Sequence, residues 1–190
     1  MGAISTISIE EILVSYIYHY RSPLGGITLA SNGDKLLGLW FDGQKYFAAR
    51  MRGESEEKTL PVFEQTEKWL DIYFSGKLPN FTPPLDMSGL SPFRKRVWEI
   101  MLTIPFGNTR SYGSMARQLA EETGKKISAQ AVGGAVGHNA ISLIIPCHRV
   151  VGENGSLTGY AGGIDRKIAL LKLEKADMSH LYKPQKGTAL

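Results

Sequence analysis

The sequence predicts an α/β domain followed by a mainly helical domain that contains a helix-turn-helix. Runs rich in β-branched and aromatic residues occupy the first half, a proline-rich stretch follows, and short capped helices fill the second half. A chain of 190 residues is long enough to form two small cores. We therefore expect an N-terminal domain over 1–80, a linker over 81–90, a C-terminal domain over 91–176 and a frayed polar tail over 177–190.

Three strands are predicted in the first half, at Ile12–Tyr20, Gly26–Ser31 and Lys35–Phe41. The dipeptide Asn32-Gly33 between the last two runs is typical of a tight hairpin turn. The polar, charged stretch from Met51 to Thr59 predicts a loop.

A helix is predicted from Pro61 to Ser75, because apolar residues recur there at helical spacing. Proline suits its first turn and Gly76 suits its end. No catalytic constellation is evident in this half, which we interpret as scaffold.

Helices of the second half are predicted to begin near Pro92, Tyr112, Ser128 and Ile164, and the last to run to Ala176. The two middle helices, joined by a short connection, form a helix-turn-helix pattern. The second of these two contains Gly133-Gly134, and each interior glycine costs about 1 kcal/mol relative to alanine. Either another element packs very close to this helix, or a ligand backbone approaches it.

Composition and charge narrow the classes of protein. A single cysteine excludes an internal disulfide framework and a multi-cysteine zinc site. No apolar run approaches the roughly 20 residues of a membrane span and no signal segment is evident, so we expect a cytoplasmic protein, or a nuclear one if the source is eukaryotic. Residues 91–176 hold 12 Lys+Arg and 6 Asp+Glu, which favours a polyanionic partner for this half.

The only cysteine, Cys147, lies beside a histidine at the end of the run Ile144-Ile145-Pro146. Such a run predicts a buried, extended segment, in which Cys147 and His148 point to opposite sides. We therefore expect no direct contact between the two side chains, and a bridging water molecule is the easier route for a proton. A lone cysteine is more often a small buried hydrophobe than a nucleophile, so the thiol by itself does not decide the function.

The segment Pro146-Cys147-His148-Arg149-Val150, with Asn139 upstream and Gly159-Tyr160-Ala161-Gly162-Gly163 downstream, resembles the O6-alkylguanine-DNA alkyltransferase family, the methylated-DNA–protein-cysteine methyltransferases. Between about Ser91 and Ala176 the motifs stand in the family's order and spacing. The resemblance implies a ribonuclease-H-like N-terminal domain and a winged-helix-like C-terminal domain. It also implies a monomer without a cofactor, whose partner is double-stranded DNA that contains alkylated guanine.

The resemblance further implies a role for each catalytic position. Cys147 is the alkyl acceptor, His148 draws off the thiol proton through water, and Glu174 orients and charges that histidine. Asn139 braces the backbone that leads to the cysteine. Tyr112 helps rotate the target nucleotide and donates a proton toward guanine N3.

Positions that touch DNA and the base are implied in the same way. Those expected to bind DNA are Tyr112, Ala129, Gln130, Gly133, Gly134 and Arg94. Those expected to line the substrate pocket are Tyr160, Ala161, Gly162 and Val150. Gln130 stands where the family usually has an arginine that enters the base stack, so it lacks the charge and planar fork of a guanidinium. The zinc ligands of some eukaryotic members need cysteines that this chain lacks, so no metal is expected.

The chemistry of the reaction agrees with these roles. A saturated carbon requires a soft nucleophile, the guanine leaving group requires a proton, and a base within a duplex must be flipped out first. The thioether product has no carbonyl for water to attack. We therefore expect irreversible, single-turnover transfer of the alkyl group from O6-alkylguanine, and from O4-alkylthymine, to Cys147. Two alternatives stay open: a sensor that binds alkylated guanine without reacting, and a cysteine hydrolase.

Overall fold

A computed structural model describes residues 15–51 and 53–184. Its N-terminal half contains a four-stranded sheet of order β3-β2-β1-β4. The strands are β1 (Ser15–Ser22), β2 (Gly25–Ser31), β3 (Leu36–Phe41) and β4 (Ser55–Glu57). The three predicted strands are confirmed, and the part of the first at Ile12–Val14 lies outside the described residues.

The predicted loop at Met51–Thr59 is wrong in its middle, because β4 pairs in parallel with β1. All three residues of β4 are exposed and polar. A short polar strand at the edge of a sheet lacks the alternation of apolar and polar residues that predicts a strand. The sequence therefore carried no signal for this strand.

A helix, α1 (Pro61–Phe74), packs its apolar stripe against the sheet, and its predicted extent is confirmed to within one residue. The stripe includes the fully buried Phe63 and Leu70. In the last turn Tyr73 is also fully buried, and its hydroxyl reaches into the C-terminal half. The scaffold thus extends a polar group toward the second half.

The outer edge of β3 joins the two halves of the chain. The N–H of Leu39 donates to the carbonyl of Ala140 at 2.8 Å, and the N–H of Ser142 donates back to Leu39 at 2.9 Å. The stretch predicted as a linker lies along the same edge, since Leu36 exchanges backbone hydrogen bonds with Pro84 and Asp86. The sheet edge therefore fixes the backbone that leads to Cys147, while the predicted domain boundaries stay a prediction.

The C-terminal half is mainly helical, with a helix-turn-helix made by its second and third helices, as predicted. Its elements are α2 (Pro92–Leu102), β5 (Arg110–Ser111), α3 (Tyr112–Thr123), α4 (Ala129–Gly137), β6 (Val150–Val151) and α5 (Ile164–Leu173). The hydroxyls of Ser91, Ser111 and Ser128 accept backbone N–H groups of the first turn of α2, α3 and α4. The serine caps thus set the start of each helix.

Two further expectations need correction. Residues 177–184 do not fray, because the N–H of Leu157 donates to the carbonyl of Tyr182 at 3.0 Å and Met178 and Leu181 pack on a small apolar cluster. The cysteine segment is not extended, since Cys147–Arg149 forms one 3₁₀ turn. Within the described ranges, no helix is long and apolar enough to cross a membrane.

Candidate active site

The thiol of Cys147 lies at the first position of the 3₁₀ turn and is 4% exposed. Burial raises the pKa of Cys147, although a hydrogen bond from Asn139 and the charge of Lys167 act in the opposite direction. The resting group is therefore a protonated thiol. A thiolate forms there only if a nearby base removes the proton.

Asn139 holds the cysteine and its backbone together. Its Nδ2 lies 3.1 Å from Cys147 Sγ and donates to the carbonyl of Ile145 at 2.8 Å, while its Oδ1 accepts the N–H of Ile141 at 3.0 Å. The side chain is buried. One amide thus ties the start of the reactive segment to the sulfur, as expected of a brace.

His148 is fully buried and turns away from the thiol. Successive residues of a 3₁₀ turn point about 120° apart, so the two side chains still do not face each other, although the turn replaces the expected extended geometry. The Nε2 of His148 lies 2.7 Å from Oε1 of Glu174. In the described part of the chain, Nδ1 is buried without a hydrogen-bond partner. The proton therefore resides on Nε2, and Nδ1 keeps a lone pair that can accept one.

Burial lowers the pKa of His148, and Glu174 opposes this shift. For Glu174 burial is again the largest influence, and it raises the pKa. The hydrogen bonds from His148 and Arg149, together with the charge of Arg149, outweigh it, so the pKa falls well below its usual range. A neutral imidazole therefore faces a permanent carboxylate.

Glu174 caps α5 and accepts hydrogen bonds on both oxygens. Arg149 donates from Nε to Oε2 at 2.8 Å and from Nη2 to Oε1 at 3.0 Å. The N–H of Gly107 also donates to Oε2, at 3.0 Å. Gly107 has φ +77°, and a Cβ there would lie 2.7 Å from the carbonyl oxygen of Glu174. Glycine is required at this close approach.

Sequence reasoning missed two residues of this site. The first is Tyr73 of α1, whose hydroxyl donates to Oε1 of Glu174 at 2.7 Å. Tyr73 is one of the residues that recur at helical spacing in the helix predicted from Pro61 to Ser75, and no feature of the sequence indicated its polar contact.

The second is Lys167 of α5, which is fully buried. Its Nζ donates to the carbonyls of Val150 at 2.6 Å and Thr158 at 3.0 Å, and it forms no ion pair with a carboxylate among the described residues. Burial lowers the pKa of Lys167 to about 8, and Cys147 partly opposes this. A signal was available, because Lys167, Leu170, Leu171 and Glu174 are spaced as one inward face of a helix.

A cleft of about 880 Å³ lies between α4 and the loop that follows β6. Five of the six residues expected to bind DNA line it, namely Tyr112, Ala129, Gln130, Gly133 and Gly134. The hydroxyl of Tyr112 donates to the carbonyl of Gly159 at 3.2 Å. Burial raises the pKa of Tyr112, so the hydroxyl keeps its proton.

The expected pocket residues lie beside the site. Tyr160 is 7% exposed and meets the His148 ring edge-on, with centroids 6.4 Å apart. A Cβ on Gly162 would come within 2.7 Å of the Tyr160 ring, so glycine is needed to seat that ring. Ala161 is half-buried, and its carbonyl accepts the N–H of Lys45 at 3.1 Å. Val150 is buried in β6.

Arg94 is not brought into this cleft. It lines a separate cavity of about 520 Å³, together with Asp86 and Ser88. Tyr46 and His138 stack at 4.2 Å between ring centroids and line both cavities. In residues 15–51 and 53–184, no group of three His, Cys, Asp or Glu side chains could hold a metal ion.

Comparisons with known proteins identify the family of the chain. The family model described as 6-O-methylguanine DNA methyltransferase, ribonuclease-like domain, matches residues 15–87, and the corresponding DNA binding domain model matches residues 92–176. A methylated-DNA–protein-cysteine methyltransferase of Mycobacterium tuberculosis is 45% identical over 161 residues, which are 83% of this chain and 93% of that protein. One from Haemophilus influenzae is 35% identical over 161 residues, covering 84% and 86%.

A solved structure described as Mycobacterium tuberculosis OGT in complex with DNA superposes with a TM-score of 0.71 at 43% identity, and covers 85% of this chain and 92% of that one. The predicted fold class is confirmed by this likeness and by the two family models. Since the models together span most of the chain and relatives above 30% identity cover more than two thirds of it, the chain belongs to the 6-O-methylguanine DNA methyltransferase family.

Proposed function

We propose that this protein repairs DNA by moving the alkyl group of O6-alkylguanine, and of O4-alkylthymine, onto Cys147 in one irreversible turnover. The observation that carries the proposal is the buried array of Cys147, His148 and Glu174, with Asn139 in contact with the sulfur. An ester or amide hydrolase also uses such an array. The cleft lined by a small-residue helix distinguishes the present case, because it suits a nucleic acid backbone.

In the proposed reaction His148 acts as the base. The thiol proton passes through a water molecule to Nδ1 of His148, and Glu174 stabilises the imidazolium that forms. The thiolate attacks the saturated alkyl carbon, so an S–C bond forms while the C–O6 bond breaks. Guanine leaves with the electron pair and takes a proton at N3 from the Tyr112 hydroxyl. Tyr112 regains a proton from solvent and the His148 imidazolium releases the thiol proton to solvent, so both side chains end as they began. The thioether cannot be hydrolysed, so each molecule reacts once.

DNA is proposed to approach along α4. A Cβ on Gly134 would meet nothing within 4 Å, and one on Gly133 would only touch Tyr112 at 3.9 Å. Neighbouring elements therefore do not demand these glycines, although they cost about 2 kcal/mol of helix stability together. A closely approaching duplex backbone is the remaining reason for them. Gln130, exposed at the start of the same helix, is proposed to fill the stack when the damaged nucleotide rotates out.

The test is mass spectrometry after incubation with a duplex that contains one O6-methylguanine. We expect a single added methyl mass on the peptide that contains Cys147, stoichiometric with repaired DNA and absent in Cys147→Ser. A duplex with O4-methylthymine is expected to give the same product. Binding without a mass change would indicate the sensor, and repeated product release with intact Cys147 would indicate the hydrolase.

The proposed role of Gln130 is tested by affinity at matched salt, since phosphate contacts make all such affinities salt-dependent. We expect Gln130→Arg to bind O6-methylguanine duplex about three- to tenfold more tightly than the wild type, because an arginine adds charge and a planar fork. Gln65→Arg, the same change at an exposed position of α1, serves as the control for net charge. Equal affinity of Gln130→Arg and the wild type would contradict this role.

A further inference from the structure

Among its described residues, the N-terminal half contributes one side-chain polar atom to the reactive array. Tyr73 of α1 places its hydroxyl 2.7 Å from Oε1 of Glu174 and 3.3 Å from Nε2 of His148. Tyr18 and Tyr20 also pair with carboxylates, but those belong to α1 of the same half, namely Glu67 and Asp71. Tyr73 instead bonds a carboxylate that is 101 positions away in sequence.

We propose that Tyr73 is a positioning residue for the alkyl transfer. Its hydroxyl donates to Oε1 of Glu174 and so limits the negative charge that this oxygen offers to His148. The inference rests on the proposed function. The N-terminal half thereby helps to set the pH range in which His148 is neutral and can accept the thiol proton.

The donor role of Tyr73 follows from its surroundings. Burial and the adjacent Glu174 carboxylate hold the pKa of Tyr73 well above its usual value, so the hydroxyl stays protonated. A short bond from a hydroxyl to a carboxylate is charge-assisted and strong, whereas 3.3 Å to Nε2 is long for a hydrogen bond. The effect through Glu174 therefore outweighs the direct effect on the imidazole.

Other groups around His148 define the background for this effect. Glu174 and Arg149 face it from the end of α5 and from the 3₁₀ turn, and Lys167 of α5 adds a second positive charge. Tyr160 packs against the ring from the loop before α5, and Cys147 precedes it in the turn. None of these changes when the Tyr73 hydroxyl is removed, so a phenylalanine isolates its contribution.

Without the hydroxyl, Oε1 of Glu174 interacts more strongly with His148 and favours the imidazolium. An imidazolium cannot accept the thiol proton. The acidic limb of the rate profile of alkyl transfer should therefore move to higher pH in Tyr73→Phe, by about 0.5 to 1 pH unit. At pH values above the limb, where His148 is neutral in both proteins, the rates should converge.

The experiment measures single-turnover methyl transfer from an O6-methylguanine duplex for the wild type, Tyr73→Phe and Tyr20→Phe between about pH 5.5 and 9. Tyr20→Phe is the matched control, because it removes a 2.8 Å tyrosine–carboxylate bond that lies outside the reactive array. A further variant carries 3-fluorotyrosine at position 73, which keeps the hydroxyl and makes it a stronger hydrogen-bond donor. We expect this variant to move the limb to lower pH.

A uniform loss of rate at all pH values in Tyr73→Phe would mean a structural role and would overturn the inference. An unmoved limb in both position-73 variants, or the same shift in Tyr20→Phe, would also overturn it. If Tyr73→Phe does not fold, the direction of the shift in the fluorotyrosine protein decides. Failure of the wild type to transfer methyl at any pH would overturn the proposed function and the inference with it.

Discussion

Two buried cations flank the reactive segment, and they are compensated in different ways. Arg149 meets the carboxylate of Glu174 through two hydrogen bonds and gives a third to the carbonyl of Ile104. Lys167 meets the carbonyls of Val150 and Thr158, and Cys147 is the acidic group whose thiolate, once formed, favours the charge of Lys167. The charge of Arg149 is therefore neutralised by the Glu174 carboxylate, whereas the charge of Lys167 can stabilise a thiolate at Cys147.

This difference separates stability from reactivity within one small region. Burying an ion pair costs desolvation free energy for both ions, so replacing both partners changes the stability little. Removing one partner destabilises the protein strongly, because the other charge stays buried without compensation. An unpaired buried ammonium is costly from the start, and its pKa falls accordingly. Such a group is stabilised when a thiolate forms beside it. We therefore expect Arg149 to contribute mainly to the free energy of unfolding and Lys167 to act mainly on the pKa of the Cys147 thiol.

The largest expected effect is on the Arg149 side. Arg149→Met leaves the Glu174 carboxylate buried without its guanidinium, so we expect a loss of about 3–5 kcal/mol in the free energy of unfolding. Urea denaturation measures it. Lys167→Met should cost less than about 2 kcal/mol, because only two carbonyls lose a donor.

Arg96→Met is the control, since the ion pairs of Arg96 with Glu99 and Glu122 are largely exposed and should contribute little. Equal losses in Arg149→Met and Lys167→Met would break the comparison between the two cations.

A smaller effect is expected when both partners of the Arg149 pair are removed. The double variant Arg149→Met, Glu174→Gln leaves no buried charge without a partner. Its loss in the free energy of unfolding should therefore be about 2–3 kcal/mol smaller than the sum of the two single losses. A double-mutant cycle in urea measures this coupling. Additive losses would mean that the two side chains act independently, contrary to their bidentate contact.

Much of this region could be predicted from the sequence, because the motif around Cys147 places its chemistry within a few positions. Cys147, His148 and Asn139 were identified from it, and the structure brings them together with the distant Glu174. The 3₁₀ turn was missed, since a β-branched run before proline favours extended backbone up to the proline and does not determine the conformation of the residues after it.

Tyr73 and Lys167 escaped prediction for a different reason. Each occupies an apolar face of a helix, and its polar atom gains meaning only from partners far away in sequence. Tyr73 bonds a residue of the other half, and Lys167 bonds two carbonyls of irregular backbone. Helical spacing shows that such side chains point inward and is silent on what they meet. The exposed strand β4 was invisible because edge pairing needs no apolar pattern.

The smallest expected effect concerns the thiol itself. Lys167→Met removes the positive charge that favours the thiolate, so the pKa of Cys147 should rise further above its usual value. We expect alkylation of Cys147 by iodoacetamide at neutral pH to slow about tenfold, which corresponds to roughly 1.4 kcal/mol, and the pH dependence of its rate to become steeper. Lys172→Met, an exposed change on the same helix, should alter neither. The charge of Lys167 is itself lost above about pH 8, so the wild type and Lys167→Met should converge at alkaline pH. Rates that differ by the same factor at every pH would show that Lys167 shapes access to the sulfur and does not act through its charge.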